Sequence, residues 1–157
     1  MAQSHPYLRV DVFCERPLLG NPLVVFPDAD RLDAGAMQAI AREMNLSETV
    51  FCLAATQSQA DLRLRIFTVD RELPLAGHPT IGAVHALATS GRLQIGEGAR
   101  DAVVWCELAA GVLPVEIEGE AAAPTRVVMT QRRPAFGEPL QDLELVSLAL
   151  GLPLQAL

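Results

Sequence analysis

The sequence predicts an α+β fold in which a curved, mixed, largely antiparallel sheet wraps around a central apolar helix. Three observations carry that expectation. Apolar or alternating segments of strand length come in pairs, with helical segments between the pairs. One helical segment, residues 80–89, has no charged face: Ile81, Val84, Leu87 and Ala88 form a stripe, and Gly82, Ala83 and Ala86 back it. A helix without a polar face is a buried helix, and small residues let strands approach it closely. Finally, half of the 157 residues are hydrophobic while aromatics make up only 4%, so the core must be aliphatic.

Taken in order, residues 7–13 (YLRVDVF) alternate and read as a strand, and PLLGNP reads as a loop. Residues 23–26 (LVVF) form a second, buried strand. A turn and helix follow over 27–45. Asp33 is the N-cap, Met37, Ile40, Ala41 and Met44 share one face, and Asn45 closes the C-terminus. Residues 48–54 return to strand. Residues 61–68 alternate strictly, with Leu62, Leu64 and Ile66 against Arg63 and Arg65, the pattern of a half-solvated sheet. Pro79 suits the first position of the apolar helix and Gly91 its stop. Strands over 102–108 and 112–119 flank a turn at Ala110-Gly111. Residues 118–125 read as a turn or linker, 125–130 as a strand and 140–152 as a helix ending near Gly151.

The length allows one ordinary domain with a real core. Net charge is −7 with a pI near 4.9, and every basic residue is arginine. No basic patch points to nucleic acid, and the acidic balance disfavours an anionic membrane surface. No segment supplies the about 20 apolar residues of a membrane span. Cys14, Cys52 and Cys106 are far apart with no CxxC, so no structural metal site is expected. Free buried thiols and the absence of a signal pattern suit the cytoplasm. A mean hydropathy of +0.26 fits either a tightly packed aliphatic core or a buried interface with another domain or subunit.

Three stretches carry candidate chemistry. At Gly77-His78-Pro79-Thr80 a loop enters the apolar helix. The first N–H groups of a helix lack partners and carry partial positive charge, which suits a substrate carboxylate. His78, placed at the N-cap, can add a hydrogen bond or pass a proton. The same residues also read as a turn glycine and a structural cap. Ser47-Glu48 joins a helix to a strongly apolar strand, and a carboxylate beside apolar surface can take and give a proton; it also reads as an edge residue facing water. Asn21, in GNP, reads as a turn residue or a ligand-binding amide. His85 reads as a satisfied core histidine.

The stretches GNPLVVF, NLSETVF and IFT followed by ELPLAGHPTIGAVHAL, in this order and spacing, resemble the N-terminal half of the PhzF-like phenazine-biosynthesis family. That family shares its fold with diaminopimelate epimerase. The resemblance runs over about residues 7–157. It implies two similar α+β domains, each a curved sheet around a helix, with the active site between them. It implies Glu48 as the general acid/base and Asn21, Ser47, Gly77, His78 and Thr80 as substrate-binding residues. No cofactor and no metal are implied. The implied reaction is isomerisation of a small carboxylate, of the trans-2,3-dihydro-3-hydroxyanthranilate type.

The chain departs from the family in two places. Thr68-Val69 stands where the family often has Thr-Pro, and no cysteine stands at the helix start, which disfavours racemisation by a cysteine pair. Family members are also roughly twice as long. Residues 1–122 are therefore expected to form the N-terminal domain and 123–157 the start of a truncated second one. The expected partners are the missing domain or a second subunit in a homodimer, with no nucleic acid and no membrane. A truncated or split half that only binds a partner is the first alternative function, and an epimerase the second.

Overall fold

The computed structural model describes residues 4–93, 100–120 and 122–156. Ala121, in the expected 118–125 turn, and the terminal Leu157 lie outside the described residues. The elements are β1 (Leu8–Val12), β2 (Asn21–Phe26), α1 (Ala34–Met44), β3 (Thr49–Leu53), β4 (Leu62–Phe67), β5 (Glu72–Leu73), α2 (Gly77–Thr89), β6 (Arg100–Leu108), β7 (Gly111–Glu120), β8 (Ala123–Met129) and α3 (Leu143–Leu150), with a 3-10 turn at Leu154–Ala156.

One sheet runs β1-β2-β3-β4-β6-β7-β8, with β5 paired to β4. The β2–β3 and β4–β6 pairs are parallel and the other pairs antiparallel. The two parallel joins are the ones that α1 and α2 cross over, as a parallel pair requires. Helix α2 packs on β1, β2, β3 and β8. Because β1 and β8 end the strand order, their shared contact with one helix means that the sheet curls around it. This is the α+β half-barrel that the sequence predicts.

Helix α1 forms as expected. The Asp33 carboxylate accepts the Ala36 N–H, and Asn45 adopts the left-handed conformation with its N–H on the Ala41 carbonyl. Met37 and Ala41 are buried against the outer face of the sheet, beside Phe26, Phe51 and Phe67. Phe26 stacks on Phe51 at 5.0 Å and Phe51 meets Phe67 edge-on at 5.5 Å. The buried aromatics Phe26, Phe51 and Phe67 thus lie under α1, while the core around α2 is aliphatic.

Helix α2 begins two residues earlier than expected. Ala76, extended, is its N-cap and offers no side-chain cap, so His78 lies inside the first turn. Pro79 is then the third helical residue, which costs no hydrogen bond because first-turn N–H groups have no partner in the helix. Eight residues of α2 are buried. A Cβ at Gly82 would sit 2.6 Å from both Leu23 Cδ2 and Val12 Cγ2, so glycine is what lets β1 and β2 approach. Ile81 is half-buried, and His85 is exposed rather than in the core. The reason is that β1 and β8 are not paired to each other, so the sheet stays open along a groove of about 360 Å3 with His85 in its wall.

Three smaller differences have local causes. Asn21 is not a turn residue but the first residue of β2, opposite Val12; the turn falls earlier, where Leu18, with φ 68, donates its N–H to the Asp11 carboxylate at 2.6 Å. The two-residue β5 carries no periodicity to read, and Arg65 holds it through two bonds to the Glu72 carboxylate at 2.7 and 2.6 Å. Helix α3 starts at Leu143, because Asp142 caps it by accepting the Leu145 N–H, and none of its residues is buried.

The β4–β6 join has only two register pairs, Leu62 with Cys106 and Arg63 with Glu107, and a buried carboxylate reinforces it. Glu107 accepts the Thr56 N–H and hydroxyl, both at 2.6 Å, and the Gln57 N–H at 3.1 Å, with Arg63 Nε at 3.6 Å. Burial pushes the Glu107 carboxyl up, but the Thr56 and Gln57 bonds and the Arg63 charge outweigh it and hold it below 4.5. A depressed carboxyl stabilises the fold above its unfolded value and loses that contribution as pH falls through the folded one. Glu107→Gln should therefore cost about 1–3 kcal/mol near neutral pH, because an amide cannot accept every donor. It should also flatten the loss of stability below pH 4.5. Urea unfolding from pH 3 to 7 checks both, and an unchanged acid limb would remove Glu107 from this role.

Candidate active site

The αL turn at Asn45 ends α1 and sends the chain through Ser47 and Glu48 into β3. Across the sheet end, α2 starts at Gly77. These two local decisions bring Glu48 and His78 together: His78 Nε2 lies 3.5 Å from Glu48 Oε2, with side chains 12% and 18% exposed. Among the described residues neither atom has a hydrogen-bond partner, and both are buried. Two buried polar atoms without partners are costly to a fold, and their placement at one helix start marks the site.

Burial lowers the His78 imidazole below 6.5, and the Glu48 charge pulls the other way without reversing it. His78 is therefore mainly neutral at neutral pH. The sign gives a prediction: Glu48→Gln removes the opposing charge, so His78 should titrate at still lower pH, as read from its imidazole proton resonances. An unchanged titration would mean that the two side chains are not neighbours in solution. With a folded value below the unfolded one, His78 also subtracts stability as pH falls from 6.5 toward the folded value.

The other expected residues divide. Ser47 donates its hydroxyl to Asn21 Oδ1 at 3.4 Å, so these two form a pair where β2 begins and α1 gives way to β3. Among the described residues the Asn21 amide nitrogen makes no hydrogen bond and the Ser47 oxygen accepts none. Thr80 is fully buried and donates its hydroxyl to the Ala76 carbonyl at 2.8 Å. It fixes the helix start rather than presenting a group to the cleft. Because Pro79 has no N–H, the free backbone donors at this end are those of Gly77 and His78. Their partial positive charge suits an anion.

Two residues were not singled out from the sequence. Thr49, next to Glu48, is buried with an unpartnered Oγ1. Gln131, just past β8, lies against Gly77: a Cβ on Gly77 would stand 3.1 Å from Gln131 Nε2. No motif marks Gln131, and only the curl of the sheet brings it there. The groove beside His85 contains neither Glu48 nor His78.

A family model described as "Phenazine biosynthesis-like protein" matches residues 10–156. The trans-2,3-dihydro-3-hydroxyanthranilate isomerase of Pseudomonas chlororaphis is 40% identical over 148 residues, covering 94% of this chain and 50% of that protein. An uncharacterized isomerase of Pasteurella multocida is 56% identical over 87 residues, 55% of this chain and 30% of its own length. Among solved structures, a PhzF-family phenazine biosynthesis protein of Bacillus anthracis superposes with a TM-score of 0.76 at 33% identity, over 95% of this chain and 48% of that one. A hydroxyproline epimerase of Agrobacterium vitis, with a TM-score of 0.60 at 21% identity over 78% of this chain and 40% of that one, shares the fold. The chain spans about half the length of the Pseudomonas isomerase.

Proposed function

Because the chain belongs to the phenazine biosynthesis-like family, we propose that it supplies the proton-transferring half of a cofactor-independent isomerase acting on a small carboxylate. The observation that carries this reading is the buried contact of Glu48 with His78 at the start of α2, where two backbone donors are free. The substrate carboxylate rests on the Gly77 and His78 N–H groups. Glu48 takes a proton from a substrate carbon, the electron pair of that C–H bond becomes part of a shifted double-bond system, and the carboxylic acid returns the proton to another carbon. Nothing is oxidised or reduced overall, so the step needs no redox partner. Neutral His78 orients Glu48 or donates a hydrogen bond to the substrate. A cyclic dihydro-hydroxyanthranilate, the compound for which the Pseudomonas relative is named, is the substrate class proposed here.

Anthranilate, which keeps the ring carboxylate and amine, tests the site. Added to the ¹⁵N-labelled chain, it should shift the Gly77 and His78 amide resonances. Shifts confined to the groove beside His85 would contradict the reading.

The remaining half of the site is proposed to come from a second unit that begins after β8 rather than at residue 123 as the sequence suggests. Strand β8 itself pairs with β7, so the segment leaving the sheet is 130–156. Its Phe136, Leu140, Leu145 and Leu148 are exposed, and the second unit or a second copy of the chain would cover them. This patch also favours the alternative of a half that only binds a partner. On either reading the isolated chain should self-associate and show no turnover; a monodisperse monomer in light scattering would count against a covered patch. Among the described residues no helix is long and apolar enough to cross a membrane, and a cytoplasmic location is part of the proposal.

A further inference from the structure

We propose that Gln131 is a substrate-contacting residue whose side-chain amide donates to the carboxylate held at the start of α2. The inference rests on the reading of the Glu48–His78 cleft as a substrate site and adds a residue from the far end of the sheet.

The backbone is held up to the residue before Gln131. Met129 ends β8 buried and paired with Val115 of β7, and the Thr130 N–H continues onto the Pro114 carbonyl at 3.3 Å. The side chain is then laid over the first residue of α2. Its Nε2 is 3.1 Å from the point that a Cβ on Gly77 would occupy. A methyl there would crowd the amide, which would have to give way by a few tenths of an ångström. Gln131 is exposed and makes no hydrogen bond among the described residues, so both amide N–H groups are free. They stand beside Gly77, the first residue of α2, whose N–H has no partner in the helix. A carboxylate seated there has two oxygens and room for four donors, and backbone N–H groups supply only two of them. The next residue, Arg132, reaches over Gly111 in the β6–β7 turn, and that turn is tied to the approach to α2 through the Ala110 N–H on the Pro74 carbonyl at 3.0 Å. The segment after β8 thus brings an amide to the helix start, with a cation on the neighbouring β6–β7 turn.

The test uses the ¹⁵N-labelled chain with two probes, anthranilate and its uncharged amide, 2-aminobenzamide. In the parent, the Gln131 side-chain NH2 resonances should shift together with the Gly77 amide and give the same Kd for anthranilate. Gln131→Ala should weaken anthranilate about tenfold, the effect of one hydrogen bond to a charged group. Gln131→Glu keeps the shape but puts a carboxylate against a carboxylate, so it should weaken anthranilate further and leave 2-aminobenzamide within about twofold. The proposal is overturned if anthranilate shifts Gly77 and His78 but binds both variants as tightly as the parent, and the substrate-site reading then survives. An equal loss for both probes in Gln131→Glu also overturns it, because a purely structural role would act in that way. If anthranilate shifts neither Gly77 nor His78 in the parent, the substrate-site reading falls and the assignment of Gln131 falls with it.

Discussion

Ala83→Glu is expected to leave the chain unfolded or molten at 25 °C. Ala83 is completely buried in α2, and the helix is enclosed by strands from both ends of the sheet order. A glutamate there has no water and no cation to meet, and an unpaired buried charge costs several kcal/mol. A whole domain is stable by only about 5–15 kcal/mol. His85→Glu is the control. It places the same residue type on the same helix at an exposed position, where glutamate costs no helix propensity relative to histidine, so it introduces the charge without the burial. Thermal melts followed by circular dichroism should separate the two variants sharply. If Ala83→Glu melts like the parent, α2 is not the core of the fold.

Glu48→Gln is expected to remove turnover while leaving substrate binding nearly intact. The measurement needs both halves of the site. A chimera supplies them by putting this chain in place of the matching half of the Pseudomonas chlororaphis isomerase. The amide has the shape of the carboxyl group but neither takes nor gives a proton, so kcat should fall by about 10²–10⁴-fold or more, the usual share of general acid/base help. KM should change little, because the backbone donors at Gly77 and His78 proposed to hold the carboxylate are untouched. A chimera with Glu48→Gln that keeps near-parental kcat would take Glu48 out of the mechanism.

Much of this was legible in the sequence because it depends on neighbours along the chain. Asp33 and Asn45 bracket α1 as local capping rules require, and the uncharged 80–89 segment announces a helix surrounded by protein. Glu48 and His78 drew attention separately, each at a junction between elements. What the sequence withheld is non-local. That β1 and β8 leave a gap, so that His85 meets solvent, depends on how far the sheet curls and not on the residues around His85. The start of α2 at Gly77 was misplaced because Pro79 fits any position in a first turn, and only the extended Ala76 fixes which one. Gln131 sits 54 positions from Gly77 in the numbering, and nothing in MTQRRP forecasts their meeting.

The most direct test of the account is to incubate trans-2,3-dihydro-3-hydroxyanthranilate with the folded chimera in D2O and follow the reaction by proton NMR. The vinylic resonances are expected to move as the double bonds shift, and the Glu48→Gln chimera should leave them in place. Exchange of a substrate C–H with solvent while the double bonds stay put would mark an epimerase instead. A folded, monodisperse chimera that leaves the substrate unchanged would contradict proton transfer by Glu48 altogether.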